Sequence, residues 1–318
     1  MSINFFIDKA TLIASWLESF LWGINTIIFA YTIFRICKNG RERMNRVTTS
    51  AIVILYILAS AHMIIELPRL IAGFITFRDT IGPITYLGNV GLPLDVAKDY
   101  IYITNTVVGD SVLVWRLYTV WGKRPQISIF PIIMILGTAV SGYGAISLYL
   151  IPNSNISKTV NWGTSMFAIS LSTNIIVTAL TAIRIWYVGH RNRELMGRSS
   201  TPYSRIVLLV IESGLAITTA KIIEFVLFER SGNGYTGNMA ITIVFDAMPQ
   251  ITGMMPTLIV LAVDSGYTQP DEYYSQEKHR DMRAMVFAPP SIHPSSTGFG
   301  TSECEVSVET RKKDHESL

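Results

Sequence analysis

The sequence has little charge. Asp, Glu, Lys and Arg make up 15% of 318 residues, against roughly 25% in soluble domains, while 49% are hydrophobic and mean hydropathy is +0.37. That balance excludes a water-soluble enzyme. Cysteine is nearly absent: Cys37 and Cys304 stand alone, so no disulfide framework is expected. Of five histidines only His62 lies in an apolar stretch, which excludes a three-histidine zinc hydrolase. H-E-x-x-H, G-x-S-x-G and a Walker loop are all missing. Gly109-Asp110 lacks the extra glycine and partner aspartate of an intramembrane aspartyl protease. The last apolar stretch has no lysine, which removes the attachment point for retinal. The chain is read as no enzyme, with no cofactor, no metal and no nucleic-acid partner.

What is present is long apolar runs. A membrane-spanning helix needs about 20 apolar residues, and seven such segments can be marked at 12–36, 47–76, 100–121, 127–151, 162–186, 206–228 and 239–263. The first is too long for the core of a signal peptide and lacks a small-residue cleavage site. The second continues through Glu66, Pro68 and Arg69, which predicts a kink near Pro68. The reading is an all-α integral membrane protein: a seven-helix bundle over 1–263, then a tail over 264–318. The tail, with Pro289-Pro290, Pro294, Gly298, Gly300 and many Ser and Thr, has a disordered composition. It carries 10 acidic and 6 basic residues, leaving the body with 20 basic and 13 acidic.

Orientation follows from Lys and Arg in the short loops. The first, third and fifth connections hold ten: Lys38, Arg41, Arg43, Arg46, Lys123, Arg124, Arg191, Arg193, Arg198 and Arg205. The second, fourth and sixth hold four: Arg78, Lys98, Lys158 and Arg230. The odd loops are therefore expected in the cytoplasm, the N-terminus outside and the C-terminus inside. The sequon Asn155-Ile156-Ser157 falls in the fourth connection, where glycosylation of Asn155 fits an outer position. Cys37, in Arg35-Ile36-Cys37-Lys38, is a candidate for palmitoylation, or a plain buried thiol. The membrane is the plasma membrane or an endomembrane.

Ionisable groups inside a bilayer are costly and tend to face a cavity or one another. At about 1.5 Å of rise per residue, Glu66, Arg69, Lys221, Glu224 and Asp246 fall in the outer half and Asp110 near the middle. These six are the candidate ligand-binding residues: a polar pocket open to the outside, floored by Asp110. The alternative is that the i,i+3 pairs Glu66–Arg69 and Lys221–Glu224 are self-neutralising bridges at headgroup level. Towards the cytoplasm, Arg116 and Glu212 fall at similar depth, predicting an interhelical switch pair; the alternative is Arg116 reaching to lipid phosphates. Ser170, Asn174 and Thr178 on one face of the fifth span, and the row Gly137, Ser141, Ala145 on the fourth, read as helix-packing surfaces.

Some stretches carry a resemblance: Ala61-His62 through Arg69; Gly109-Asp110 with Arg116-Leu117-Tyr118 and Val120-Trp121; Ser141-Gly142-Tyr143-Gly144-Ala145. Others are Ser172-Thr173-Asn174 with Arg184-Ile185-Trp186, Glu212-Ser213, and Pro256-Thr257-Leu258-Ile259. In them the chain resembles a large, uncharacterised seven-transmembrane family of basidiomycete fungi, a resemblance that implies the fold and brings no established activity. The topology is similar to that of G-protein-coupled receptors, without the motifs of the rhodopsin class: no acidic residue precedes Arg116, and no Asn-Pro-x-x-Tyr or extracellular cysteine pair is present. The leading expectation is a receptor-like protein. It would sense a small ligand from outside and meet a heterotrimeric G protein, another cytoplasmic partner or anionic lipid through its basic loops. The alternative is a transporter or channel for a small solute or proton.

Overall fold

A computed structural model describes residues 7–38, 46–151, 156–196, 201–231 and 239–264. Contact clustering divides the chain at Pro270, and every described helix lies in the first unit, Met1–Pro270. Asn155, Cys304 and the tail proposed over 264–318, apart from Asp264 itself, lie outside the described residues.

All described regular structure is helical. The helices are α1 (Ile7–Lys38), α2 (Arg46–Ile71), the short α3 (Pro83–Leu87), α4 (Pro93–Val120), α5 (Pro125–Tyr149), α6 (Ile156–Met196), α7 (Thr201–Ser231) and α8 (Ala240–Asp264). Each of the seven marked segments coincides with one long helix, and most helices run beyond the marked bounds. Among them, α1, α2 with its extension to Thr76, α5, α6 and α8 are long and apolar enough to cross a membrane. They are compatible with a multi-pass membrane protein.

Local chemistry sets the boundaries. Pro83, Pro93 and Pro125 open α3, α4 and α5, where the missing N–H costs nothing and the fixed φ suits a first turn. Between α4 and α5 the chain reverses in four residues; Gly122 at φ +68° and Lys123 at φ +62° both take left-handed backbone there. Pro68 lies inside α2 and cannot donate to the preceding turn. The departure from regular α geometry falls just after it, as a π-helical turn over Ala72–Thr76.

The long helices close a ring. α1 packs on α2 and α8, α4 on α5, α5 on α6, α6 on α7 and α7 on α8. α4 also touches α2, α6 and α8, so that it packs against four of the other long helices, as α8 does.

The inward faces are polar and the outward faces apolar. Buried positions on α1 include Thr11, Ser15, Glu18, Asn25, Thr32 and Ile36, and on α2 Ile52, Leu55, Ala59, His62, Glu66 and Arg69. Both series follow the alternating three- and four-residue spacing that keeps two helices in contact over many turns. On the opposite face of α1, Ile13, Trp16, Phe20, Ile27 and Phe34 are exposed; α5 exposes Ile129, Ile133, Leu136 and Val140. A soluble monomer rarely shows so much contiguous apolar surface. A bilayer would cover it.

Candidate functional site: two buried charge networks

α1 and α2 meet as an antiparallel ladder of polar rungs. Ser15 Oγ donates to Glu66 Oε1 (3.0 Å), Glu18 Oε1 meets His62 Nδ1 (2.7 Å), Trp22 Nε1 donates to Ser60 Oγ (3.0 Å), and Thr26 meets Tyr56 (3.1 Å). Below the Glu18 rung, Asn25 Nδ2 donates to Gln250 Oε1 (3.2 Å), while Gln250 Nε2 donates to the Ala59 carbonyl (2.9 Å). This ties α1, α2 and α8 at one level. In low dielectric an unmade bond at any of these positions would carry the full desolvation cost of the group.

The upper rungs feed the first network, whose hub is Lys98 of α4. Its Nζ lies 2.5 Å from Glu66 Oε2 and 2.8 Å from Asp246 Oδ1, joining α2, α4 and α8. Arg69 reaches the same Glu66 oxygen at 3.5 Å and makes a shorter bridge, 2.7 Å, to Asp95 Oδ1. Its Nη2 also donates to the Leu87 carbonyl (3.3 Å) on α3, and so pins that short helix against the bundle. The side chains of Lys98, Glu66 and Asp246 are all at most 3% exposed. Burial alone disfavours each charge, so the arrangement depends on the mutual attraction of the partners.

The second network lies further along α4. Asp110 Oδ1 accepts from Lys221 Nζ of α7 (2.7 Å) and Asn174 Nδ2 of α6 (3.0 Å), and its Oδ2 accepts from Ser170 Oγ (2.7 Å). Lys221 also donates to Ser170 Oγ at 2.5 Å. Three helices thus converge on one carboxylate. Tyr102 of α4 donates to Glu224 Oε1 at 2.5 Å, one turn along α7 from Lys221.

Lys98 and Asp110 are twelve residues apart on one helix, roughly 18 Å of rise. The stretch between them holds an aromatic layer. Tyr102 stacks on Phe245 at 3.8 Å between ring centroids, and Phe167 packs against Phe228 and Phe245.

The six expected ligand residues are all buried, and they fall into two groups. Glu66, Arg69 and Asp246 belong to the Lys98 network; Asp110 and Lys221 form the second, with Glu224 beside it on Tyr102. The Glu66–Arg69 pair exists, while the expected Lys221–Glu224 pair does not. An interhelical carboxylate at 2.7 Å and a phenol take their places, because both side chains point inward, where stronger partners are available.

The Arg116–Glu212 pair is also absent. Arg116 Nη2 donates to the Pro256 carbonyl of α8 (3.3 Å), and Glu212 is exposed on α7. Similar depth did not mean a shared face. Ser170 and Asn174, read as packing residues, are the ligands of Asp110. Of that row only Thr178 packs, its methyl lying 2.6 Å from where a Cβ on Gly214 of α7 would stand. On α5, Ser141 and Ala145 are buried and Gly137 lies against Ile169 of α6, a packing surface. Cys37 is free and exposed.

Four groups of these networks are absent from the six candidates. Glu18 and His62 fall inside marked segments, and Asp95 and Lys98 fall between the second and third marked segments. The helix starts at Pro93, which puts both on its inward face. The signal available was the spacing Asp95, Lys98, Tyr102, Asn105, which follows one helical stripe behind a proline start.

Compared with protein-family models, curated proteins and solved structures, the chain matches none.

Proposed function

We propose that this chain is a seven-span, receptor-like membrane protein with its N-terminus outside. α4 and α7 are then the two spans that composition alone leaves out, their charges turned into the bundle. Lys98 is buried inside α4 and drops out of the count, so the outer connections and helix ends keep Arg78, Lys158 and Arg230 against ten basic residues on the other side. The bias that supports this orientation becomes stronger.

The observation that carries the receptor reading is the Asp110 junction. A single buried carboxylate holds α4, α6 and α7 together through Lys221, Ser170 and Asn174. In this proposal the buried ion pair is a lock with a second, released arrangement, and a ligand that prefers one of the two would shift the population. Arg116, bound to the Pro256 carbonyl six residues further along α4, lies on the same helix towards the proposed cytoplasmic end.

The test is co-purification of the full chain from membranes with heterotrimeric G-protein α subunits, with and without a non-hydrolysable GTP analogue. Nucleotide-sensitive association that changes in Asp110→Asn supports the reading. A folded protein without such association refutes coupling to a G protein. A transporter is the second reading, favoured by the excess of carboxylates around Lys98. Proteoliposomes that pass protons or solute unassisted would establish it in place of the receptor.

A further inference from the structure

The first network holds more negative charge than its partners neutralise. Glu18, Glu66, Asp95 and Asp246 are four carboxylates, with Asp99 of α4 near enough to interact with Lys98 and Arg69 as a fifth; Lys98 and Arg69 are two permanent cations. With a neutral imidazole, at least two negative charges remain among largely buried side chains. Leaving them bare is costly by several kcal/mol per ion.

The geometry also shows where a compensating charge would sit. Glu18 and His62 are both 0% exposed, and the 2.7 Å separation of Glu18 Oε1 and His62 Nδ1 requires a hydrogen between them. The other imidazole nitrogen, Nε2, is fully buried with no hydrogen-bond partner, and so is Asp246 Oδ2. An imidazole whose Nδ1–H is committed to a carboxylate presents Nε2 as a bare acceptor.

We propose that the Glu18–His62 pair, with Asp246 beside it, is a reversible proton-binding site that couples α1 and α2 to α4 and α8. Uptake forms one N–H or O–H bond and breaks none within the protein; the proton comes from water. The pair titrates as a unit, so the added proton is shared between imidazole and carboxyl. The groups that face the pair are Lys98 from α4, Glu66 and Arg69 from α2, and Asp246 and Gln250 from α8. Two cations are therefore set against two anions around it, and adding one positive charge alters the pull of Asp246 on Lys98.

Exposure is graded along the network. The Asp95 side chain is 11% exposed and that of Arg69 8%, while those of Glu18 and His62 are closed. Protons would enter from the Asp95 end. A metal ion fits less well, because the described residues gather no group of three His, Cys, Asp or Glu around one point. The site stands whether the protein is a receptor or a transporter.

The experiment uses the full-length chain in lipid vesicles, with His190, His279, His293 and His315 changed to Gln so that His62 is the one imidazole. Nitrogen-15 histidine labelling and solid-state NMR then report both ring nitrogens from about pH 4 to about pH 9, a range centred on the free imidazole. Infrared difference spectra across the same range report carboxyl protonation. The expected result is one protonation step seen on the His62 ring or on a carboxyl band lost in Glu18→Gln. Glu18→Gln should move the His62 step to lower pH by at least about one unit. Glu18→Asp, which keeps the charge at a longer reach, should move it less and covers the case in which Glu18→Gln does not fold. Three results would overturn the proposal: no change on either group, an Nε2–H already present at the alkaline end, or a step indifferent to both Glu18 variants. Failure here leaves the G-protein assay untouched, and the reverse holds too.

Discussion

Lys98→Met is the most informative single change. Lys98 Nζ touches Glu66 at 2.5 Å and Asp246 at 2.8 Å, and its side chain is 3% exposed. Methionine fills most of the stem volume, so the loss is one of charge and hydrogen bonding, not packing. Removing one partner of a buried pair costs about 3–5 kcal/mol, because the orphaned charge stays buried. Here two carboxylates are orphaned together, and Arg69 compensates only Glu66, at 3.5 Å. For a helical body of this size about 2–4 °C of melting temperature corresponds to 1 kcal/mol. The expected fall is therefore about 6–20 °C, read by tryptophan fluorescence of the full chain in detergent micelles. The triple variant Lys98→Met, Glu66→Gln, Asp246→Asn removes all three charges at nearly constant shape and should recover more than half of the loss. Two results would refute the reasoning: Lys98→Met melting within about 2 °C of wild type, or a triple variant no better than the single.

Three further outcomes are expected. A double-mutant cycle on Asp110→Asn and Lys221→Met should give a coupling free energy in the upper part of the usual range of about 0.5–3 kcal/mol; a value near zero would mean that Ser170 and Asn174 alone hold the aspartate. Gly109→Leu should destabilise by about 1–3 kcal/mol, because a Cβ there would stand 2.4 Å from Thr252 Cγ2 of α8. Thr252→Ala removes the opposing methyl and should restore much of that loss, as thermal unfolding would show. Glu212→Gln should leave stability within about 0.5 kcal/mol of wild type, since Glu212 is exposed; a larger loss would reveal a partner for it.

The helices were legible because apolar runs of spanning length leave few alternatives. Their partners were not. Glu66, Arg69, Asp110, Lys221, Glu224 and Asp246 stand out in a sequence because each charge interrupts an apolar run, and all six are indeed buried. Which of them meet depends on how seven helices rotate and tilt, and that is carried by many weak packing contacts with no local signature. Sequence spacing suggests i,i+3 and i,i+4 partners, and of the two i,i+3 pairs only Glu66–Arg69 is made. His62 turned to Glu18, Lys221 to Asp110 and Glu224 to Tyr102. Interhelical partners win where both helices present their polar stripe to the same interior.

If α4 and α7 cross the membrane as proposed, α4 shows how composition can undercount spans. Among the described residues, none of the large exposed hydrophobic side chains comes from α4, whereas α1, α2, α5, α6 and α7 all supply several. A helix ringed by others has no face for lipid to wet and no need to be apolar. Its interior stripe instead carries Asp95, Lys98, Asn105, Thr106 and Asp110, each buried. α7 meets the same demand differently, with Leu215, Ile222, Ile223 and Val226 outward and Lys221 and Glu224 inward. A sliding average mixes those two faces and reports a helix too polar to cross. The physical criterion is the apolarity of the face that meets lipid, and by that criterion an α7 with an apolar outer face and an enclosed α4 are both compatible with the proposed seven spans. Because α4 carries both Lys98 and Asp110, a displacement of α4 itself would shift both networks together.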